Sequence, residues 1–261
     1  MNYYNEFDPK AAAWLRELIR CGHIPSGDID ERSIADVQPG DLRKYNQCHF
    51  FAGIGGWSLA LQLANWPQDR PVWTGSCPCQ PFSNSGKQLG TADPRHFWPQ
   101  FQRLIKECRP TSVFGEQVAS ASGRLWLDGV RTDLEGMGYG VGGADLCAAS
   151  VGSPQVRQRL FWVAISGSIR SSTGISGSNQ GKKGDSNFSN NPSDPECFWE
   201  NSETIGCKDG RSRRIEPGIF PLVDGLPGRV GLLRGYGNAI CPQLAAEFIQ
   251  SVTDIIETSH A

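Results

Sequence analysis

Cys48-His49-Phe50-Phe51-Ala52-Gly53-Ile54-Gly55-Gly56-Trp57-Ser58-Leu59-Ala60-Leu61 decides the fold class. A short apolar run enters a cluster of glycines, and apolar residues then resume at helical spacing. That is a strand, a turn and a helix. Glycines after a strand let a ligand approach the backbone at a helix N-terminus, a device of many nucleotide folds, though such a turn is equally often only a tight turn.

The same alternation continues downstream. Val72-Trp73-Thr74 reads as a strand entering the turn Gly75-Ser76-Cys77-Pro78-Cys79-Gln80-Pro81. Trp98, Phe101, Leu104 and Ile105 mark a helix, Ser112-Val113-Phe114 a strand, and Leu125, Trp126, Val130, Leu134 and Met137 a further helix. Strands around Gly140–Cys147 and Leu160–Ile165 follow. Upstream, Asp8 as N-cap, Pro9 at the first helical position and Gly22 beyond the end bracket a helix with Ala11, Trp14, Leu15, Leu18 and Ile19 on one face. Alternating strands and helices predict a parallel α/β sheet. A terminal helix starts at Pro242, with Leu244, Phe248, Ile249, Val252, Ile255 and Ile256 on one side.

From Ser166 to Asp194, 18 of 29 residues are Ser, Gly or Asn, too polar to offset their ordering entropy, so this stretch reads as a flexible linker. After it, Phe198 and Trp199 stand near the basic cluster Lys208 to Arg214. The whole chain has 261 residues and a net charge of −2, so any polyanion must be met by local basic clusters rather than a global field. No run of about 18 apolar residues is present, which excludes a membrane-spanning helix. The N-terminus has neither a basic start nor an apolar stretch and does not read as a signal peptide. Nine cysteines, an odd number, then read as reduced thiols of a cytoplasmic protein.

Three groups suggest chemistry. Cys79, in a proline-bounded turn after a strand, would stand at the sheet's carboxyl edge, where α/β active sites form. Cys77 and Cys79 are spaced C-x-C rather than C-x-x-C and have no nearby His, so a nucleophile is the better reading than a metal ligand. Glu116 ends an apolar run, a position that is also ordinary for a solvated strand end. Gln155, Arg157 and Arg159 alternate, which in an extended segment points them to one face: a seat for phosphate or carboxylate, or a solvated edge.

Taken together, Phe51-Ala52-Gly53-Ile54-Gly55-Gly56, Pro78-Cys79-Gln80-Pro81-Phe82-Ser83, Glu116-Gln117-Val118, Gln155-Val156-Arg157-Gln158-Arg159 and Gly237-Asn238-Ala239-Ile240 resemble the cytosine-C5 DNA methyltransferase family, in family order and over nearly the whole chain. The resemblance implies a Rossmann-like S-adenosylmethionine-dependent methyltransferase sheet with a small target recognition region. The family places acidic ribose and adenine motifs between the glycine loop and the cysteine turn, yet only about twenty residues separate Gly56 from Cys77. Asn5-Glu6-Phe7-Asp8 resembles the ribose motif and Gly27-Asp28-Ile29 the adenine motif, so the chain resembles a small, phage-like form with these two permuted to the front. Glu-Gln-Val stands where the family has Glu-Asn-Val, and His49 where it has an acid.

The implied roles follow from the matched positions. Cys79, Glu116, Arg157 and Arg159 are catalytic, Cys79 as the nucleophile. Glu6, Phe7, Asp28, Ile29, Phe51, Gly53, Gly55, Gly56, Pro78 and Asn238 bind S-adenosylmethionine. Gln80, Ser83, Arg211, Arg213 and Arg214 contact double-stranded DNA. The expected layout is a catalytic and cofactor domain over 1–165, a linker over 166–195, target recognition over 196–230 and a returning C-terminal helix over 231–261. The resemblance implies a monomeric, metal-free modification enzyme, either of a restriction–modification system or an orphan phage enzyme. Cytosine methylation in transfer RNA and a non-catalytic DNA-binding relic are the alternatives.

Overall fold

The computed structural model describes residues 1–78, 97–153, 157–167, 203–206, 212–215 and 239–258. Helix α1 (Pro9–Arg20) is delimited by its own sequence: the Asp8 side chain accepts from the Lys10 and Ala11 N–H groups, and Pro9 occupies the first turn. Gly22, at φ +74°, takes the chain out of the helix in the left-handed conformation. Strand β1 (Asn2–Asn5) precedes it and β2 (Gly27–Asp30) follows, so the front of the chain is a β-α-β unit with parallel strands.

A four-residue helix α2 (Pro39–Leu42) leads to β3 (Gln47–Phe50), the glycine loop and helix α3 (Gly56–Leu63). Then come β4 (Val72–Gly75), α4 (Trp98–Cys108), β5 (Ser112–Val118), α5 (Ala121–Gly136), β6 (Tyr139–Cys147) and β7 (Gln158–Ser166). A two-stranded antiparallel ribbon, β8 (Glu203–Gly206) with β9 (Ser212–Ile215), and helix α6 (Pro242–Thr258) complete the described elements.

The main sheet has the order β2-β1-β3-β4-β5-β7-β6. Its first five strands are parallel, as the alternation predicts, but β7 runs antiparallel to both β5 and β6. The expected parallel α/β sheet is therefore mixed at this edge, for a physical reason. Only residues 148–157, with one 3₁₀ turn at Ala148–Val151, join β6 to β7, and a parallel return needs a longer crossover. The antiparallel direction places the first residues of β7 at the same sheet edge as the last residues of β5.

Every residue of β3 and β4 is buried, as expected for central strands covered on both faces. Side chains alternate between two layers. Phe50, Trp73, Val113 and Trp162 face α4 and α5 with Phe101 and Trp126, whereas Phe114 and Phe161 face α3 and α6 with Trp57 and Phe248. A third cluster, Tyr4, Leu15, Ile24 and Ala52, seats α1. In α6 the apolar stripe is buried at Leu244, Phe248 and Ile249, but Ile255 is 63% exposed, so the last turn extends past the sheet.

Candidate active site

Two groups of side chains collect at the carboxyl edge of the parallel strands. The first surrounds the ends of β1, β2 and β3. Glu6 directly follows β1, and its N–H donates to the Asp30 carbonyl at the end of β2 (3.0 Å). Its carboxylate accepts the Gly53 N–H at 2.7 Å and the Asp8 N–H at 2.8 Å. Burial raises the Glu6 pKa, and these two N–H groups pull it part of the way back. The first candidate ribose residue is thus bonded to the glycine loop across 47 positions of sequence.

The loop has the backbone of a ligand cradle. Gly55 caps α3 at φ +80°, a conformation costly for a side chain. A Cβ on Gly56 would stand 2.8 Å from Ile240 Cγ1, so glycine is needed for the segment before α6 to close onto the loop. Phe51, not a glycine, is also held at φ +52°, the kind of strained position that collects at functional sites. Phe7 is 70% exposed beside these strand ends, a large apolar ring left in water. Ile29 packs with the α1 cluster, on the face of β2 opposite Asp28. Asp28 is held by Tyr45 Oη at 2.5 Å and Lys44 Nζ at 3.0 Å, and these two donors keep its carboxyl below the usual range.

Asp30, on the same face as Asp28 but at the strand's end, accepts from the Tyr3 hydroxyl and from Arg32. Sequence reading passed it over, although the Gly-Asp-Ile-Asp alternation was the available signal. A polar cavity of about 560 Å³ lies against this outer edge, lined among others by Asp28, Asp30, Arg32, Lys44 and Tyr45.

The second group lies between β5 and β7. Glu116 stands one residue past the register end of β4, whose Gly75 pairs with Gly115. Arg159, entering on antiparallel β7, places its Nε 2.7 Å from Glu116 Oε1. Burial pushes the Glu116 carboxyl above its ordinary range, while the charges of Arg159 and Arg157 oppose that shift. Arg157 also donates to the Ala239 carbonyl at 2.8 Å, tying the arginine segment to the chain just after Asn238. Pro78, half-buried, is the last described residue before the cysteine.

Cys79, Gln80, Ser83, Gln155, Arg211 and Asn238 lie outside the described residues, and Arg213 and Arg214 are placed only as residues of β9. Among the described residues no group of three or more His, Cys, Asp or Glu side chains could hold a metal ion. No helix among them is long and apolar enough to cross a membrane.

This seven-stranded mixed sheet with helices on both faces is the α/β Rossmann-like fold of S-adenosylmethionine-dependent methyltransferases. Residues 64–205 match the family model described as C-5 cytosine-specific DNA methylase, and the chain belongs to that family. Among curated relatives, Type II methyltransferase M.AluI of Cellulosimicrobium cellulans is 42% identical over 106 residues, covering 36% of this chain and 20% of that protein. M.AplI of Arthrospira platensis is 36% identical over 108 residues, covering 41% and 30%. M.HgiCII of Herpetosiphon aurantiacus is 26% identical over 165 residues, covering 48% and 38%. The aligned portions span between a fifth and two-fifths of these relatives' lengths.

Proposed function

We propose that this chain methylates C5 of a cytosine flipped out of duplex DNA, through a covalent bond to Cys79. The observation that carries the reading is the ion pair of buried Glu116 with part-buried Arg159 at 2.7 Å, at the strand edge beside the turn that leads to Cys79. Cytosine C5 is a poor nucleophile. Addition of the Cys79 thiolate to C6 forms a C–S bond and pushes the π electrons of the C5–C6 bond toward C5. C6 is inaccessible within the base stack, so the target base must leave the helix. Glu116, its proton affinity raised by burial, supplies a proton toward N3 and accepts from the exocyclic amine. Arg159 holds Glu116 in place and offers donors to the ring carbonyl. Water then takes the C5 proton, the C5–C6 double bond re-forms as the C6–S bond breaks and the thiolate leaves, and the N3 proton returns to Glu116.

S-adenosylmethionine, when bound, supplies the electrophilic methyl group that an electron-rich C5 accepts. The residues present fit its ribose and one side of its adenine: Glu6 would accept from the ribose hydroxyls and exposed Phe7 would flank the ring. Asp28, held by Tyr45 and Lys44 on the face of β2 opposite Ile29, would have to give up those donors to take the exocyclic amine. Phe51, the glycines 53, 55 and 56, Pro78 and Asn238 would complete the cradle. Arg157, bonded to the Ala239 carbonyl, would hold the Asn238 segment against it.

The front-permuted motif order is part of this proposal. Its support is that β1 inserts between β2 and β3 and brings Glu6 to the glycine loop, despite preceding that loop in sequence. We assign target recognition to 196–230, with Arg211, Arg213 and Arg214 toward phosphate and guanine, and Gln80 and Ser83 toward the flipped nucleotide. Sequencing methylated cytosines after expression in a methylation-free host tests the whole reading. A recurrent methylated DNA site is expected; none in DNA, with methylcytosine in transfer RNA instead, would replace the substrate.

A further inference from the structure

The indole of Trp57 bridges β5, β7 and the residue that follows β4, beside the proposed site. It is the second residue of α3, immediately after the glycine loop, and is only 4% exposed. Its ring sits against Phe114 of β5 (centroids 6.3 Å apart) and edge-on to Phe161 of β7 (6.0 Å). Phe114 precedes Glu116 by two residues on the same strand face, and Phe161 is the cross-strand register partner of Glu116 and lies two residues after Arg159. The ring is therefore seated one step below the Glu116–Arg159 pair. Its Nε1–H donates to Ser76 Oγ at 2.9 Å. Ser76 is the first residue after β4 and the third before Cys79, and the next residue, Cys77, is buried in the opposite core layer.

We infer that Trp57 is a positioning residue that fixes the stem of the cysteine turn in register with the Glu116–Arg159 pair, through its hydrogen bond to Ser76. The stem is pinned on both sheet faces, by Cys77 in one core layer and by the indole N–H on the other. Ser76, three residues before Cys79 in sequence, is thus held by the same ring that buttresses β5 and β7. The inference rests on Cys79 as nucleophile. Small misplacements of a reacting group are costly even when nothing in contact with substrate has changed.

The test uses the full chain with Trp57→Phe, Ser76→Ala, their double variant and Ser76→Thr, on a duplex carrying the site found by sequencing. Covalent capture on 5-fluorocytosine DNA is timed in a single turnover, beside S-adenosylmethionine affinity, DNA affinity and melting temperature. Trp57→Phe keeps an aromatic filler and removes the donor, while Ser76→Ala removes the acceptor.

Each single variant is expected to slow capture about tenfold to a hundredfold with both affinities held. The double variant should be no slower than the worse single one, because both remove the same bond. Ser76→Thr, which keeps the hydroxyl, should restore most of the rate. Capture at the wild-type rate in either single variant, additive losses in the double one, or a loss that merely follows lowered melting temperature or cofactor affinity overturns the inference and leaves the proposed chemistry standing. A wild-type chain that methylates DNA but forms no adduct overturns both.

Discussion

Glu6 and Glu116 lie at the same sheet edge, both with carboxyl groups that burial pushes upward, but they are compensated differently. Glu6 is met by two neutral backbone N–H groups. Glu116 is met by a guanidinium at 2.7 Å, with a second arginine's charge nearby. Amide donors leave a carboxylate with lone pairs aimed outward and fixed, which suits acceptance from hydroxyl groups. Guanidinium partners leave a carboxyl whose proton affinity depends on how closely the charges approach, which suits proton handling. On the proposed reading, one edge carries a binding acid and a reacting acid, distinguished by their partners rather than by their own chemistry.

The largest effect should come from the β4–β5 end. Cys79→Ala should lower methyl transfer by several orders of magnitude, on the order of ten-thousandfold, while S-adenosylmethionine affinity stays within about twofold. Substantial residual transfer, or an adduct mapped to Cys77, would break the comparison outright.

Glu116→Gln comes next, with an expected loss of about a hundredfold to a thousandfold in kcat. Because the acid form donates, wild-type activity should fall as pH rises through the raised pKa of Glu116, and that alkaline limb should vanish in the variant. A pH–rate profile with the same limb in both proteins would assign it to another group.

Glu6→Ala should do the opposite, weakening S-adenosylmethionine binding about tenfold to a hundredfold, as measured by calorimetry, with kcat at saturation little changed. Unchanged affinity would remove the front segment from the cofactor site.

The smallest effect concerns a third buried titratable group between the two ends. His49 on β3 bonds the Thr74 hydroxyl, at 2.8 Å, and stacks on Tyr4. Burial pushes its pKa down to about 3. A base whose folded pKa is depressed contributes stability that is complete above its unfolded pKa of about 6.5 and is lost as pH falls toward the folded value. Stability should drop by up to about 1.4 kcal/mol per pH unit in that window. Glu6 and Glu116, with raised values, work in the other direction. His49→Gln should flatten the His49 part of the slope in thermal melts between pH 7 and 5, and an unchanged slope would show that His49 is not the group responsible.

Most elements were legible because their signals are local. Asp8, Pro9 and Gly22 delimit α1 within a residue or two, and short apolar stretches such as Val72-Trp73 and Val113-Phe114 mark β4 and β5. Strand β1, Asn-Tyr-Tyr-Asn, was not, since asparagine is depleted in strands. Both asparagines are nevertheless buried, and Asn5 Nδ2 donates to the carbonyls of Asp30 and Arg32, partners that appear only once β2 is in place. The reversed direction of β7 was likewise invisible in hydrophobic pattern, which is the same for either orientation. At the candidate site, residue types and motif order named Glu116 and Arg159, but not their contact. The pairing of Arg157 with the Ala239 carbonyl spans 82 positions and leaves no trace in spacing.

The strand order also bears on how the molecule is made. Residues 2–30 already form a paired β-α-β unit, and β3, β4 and β5 each dock on a strand synthesised before them, the sheet growing in one direction from its β2 edge. Emergence from the ribosome and assembly can therefore proceed in step, with few unsatisfied strand edges waiting for later sequence. Strand β6 is the exception. It is complete before β7 exists, belongs at the outer edge, and has no neighbour until β7 slides between it and β5. Closure of the pair that carries Glu116 and Arg159 is accordingly the step of sheet formation that nascent-chain order delays most.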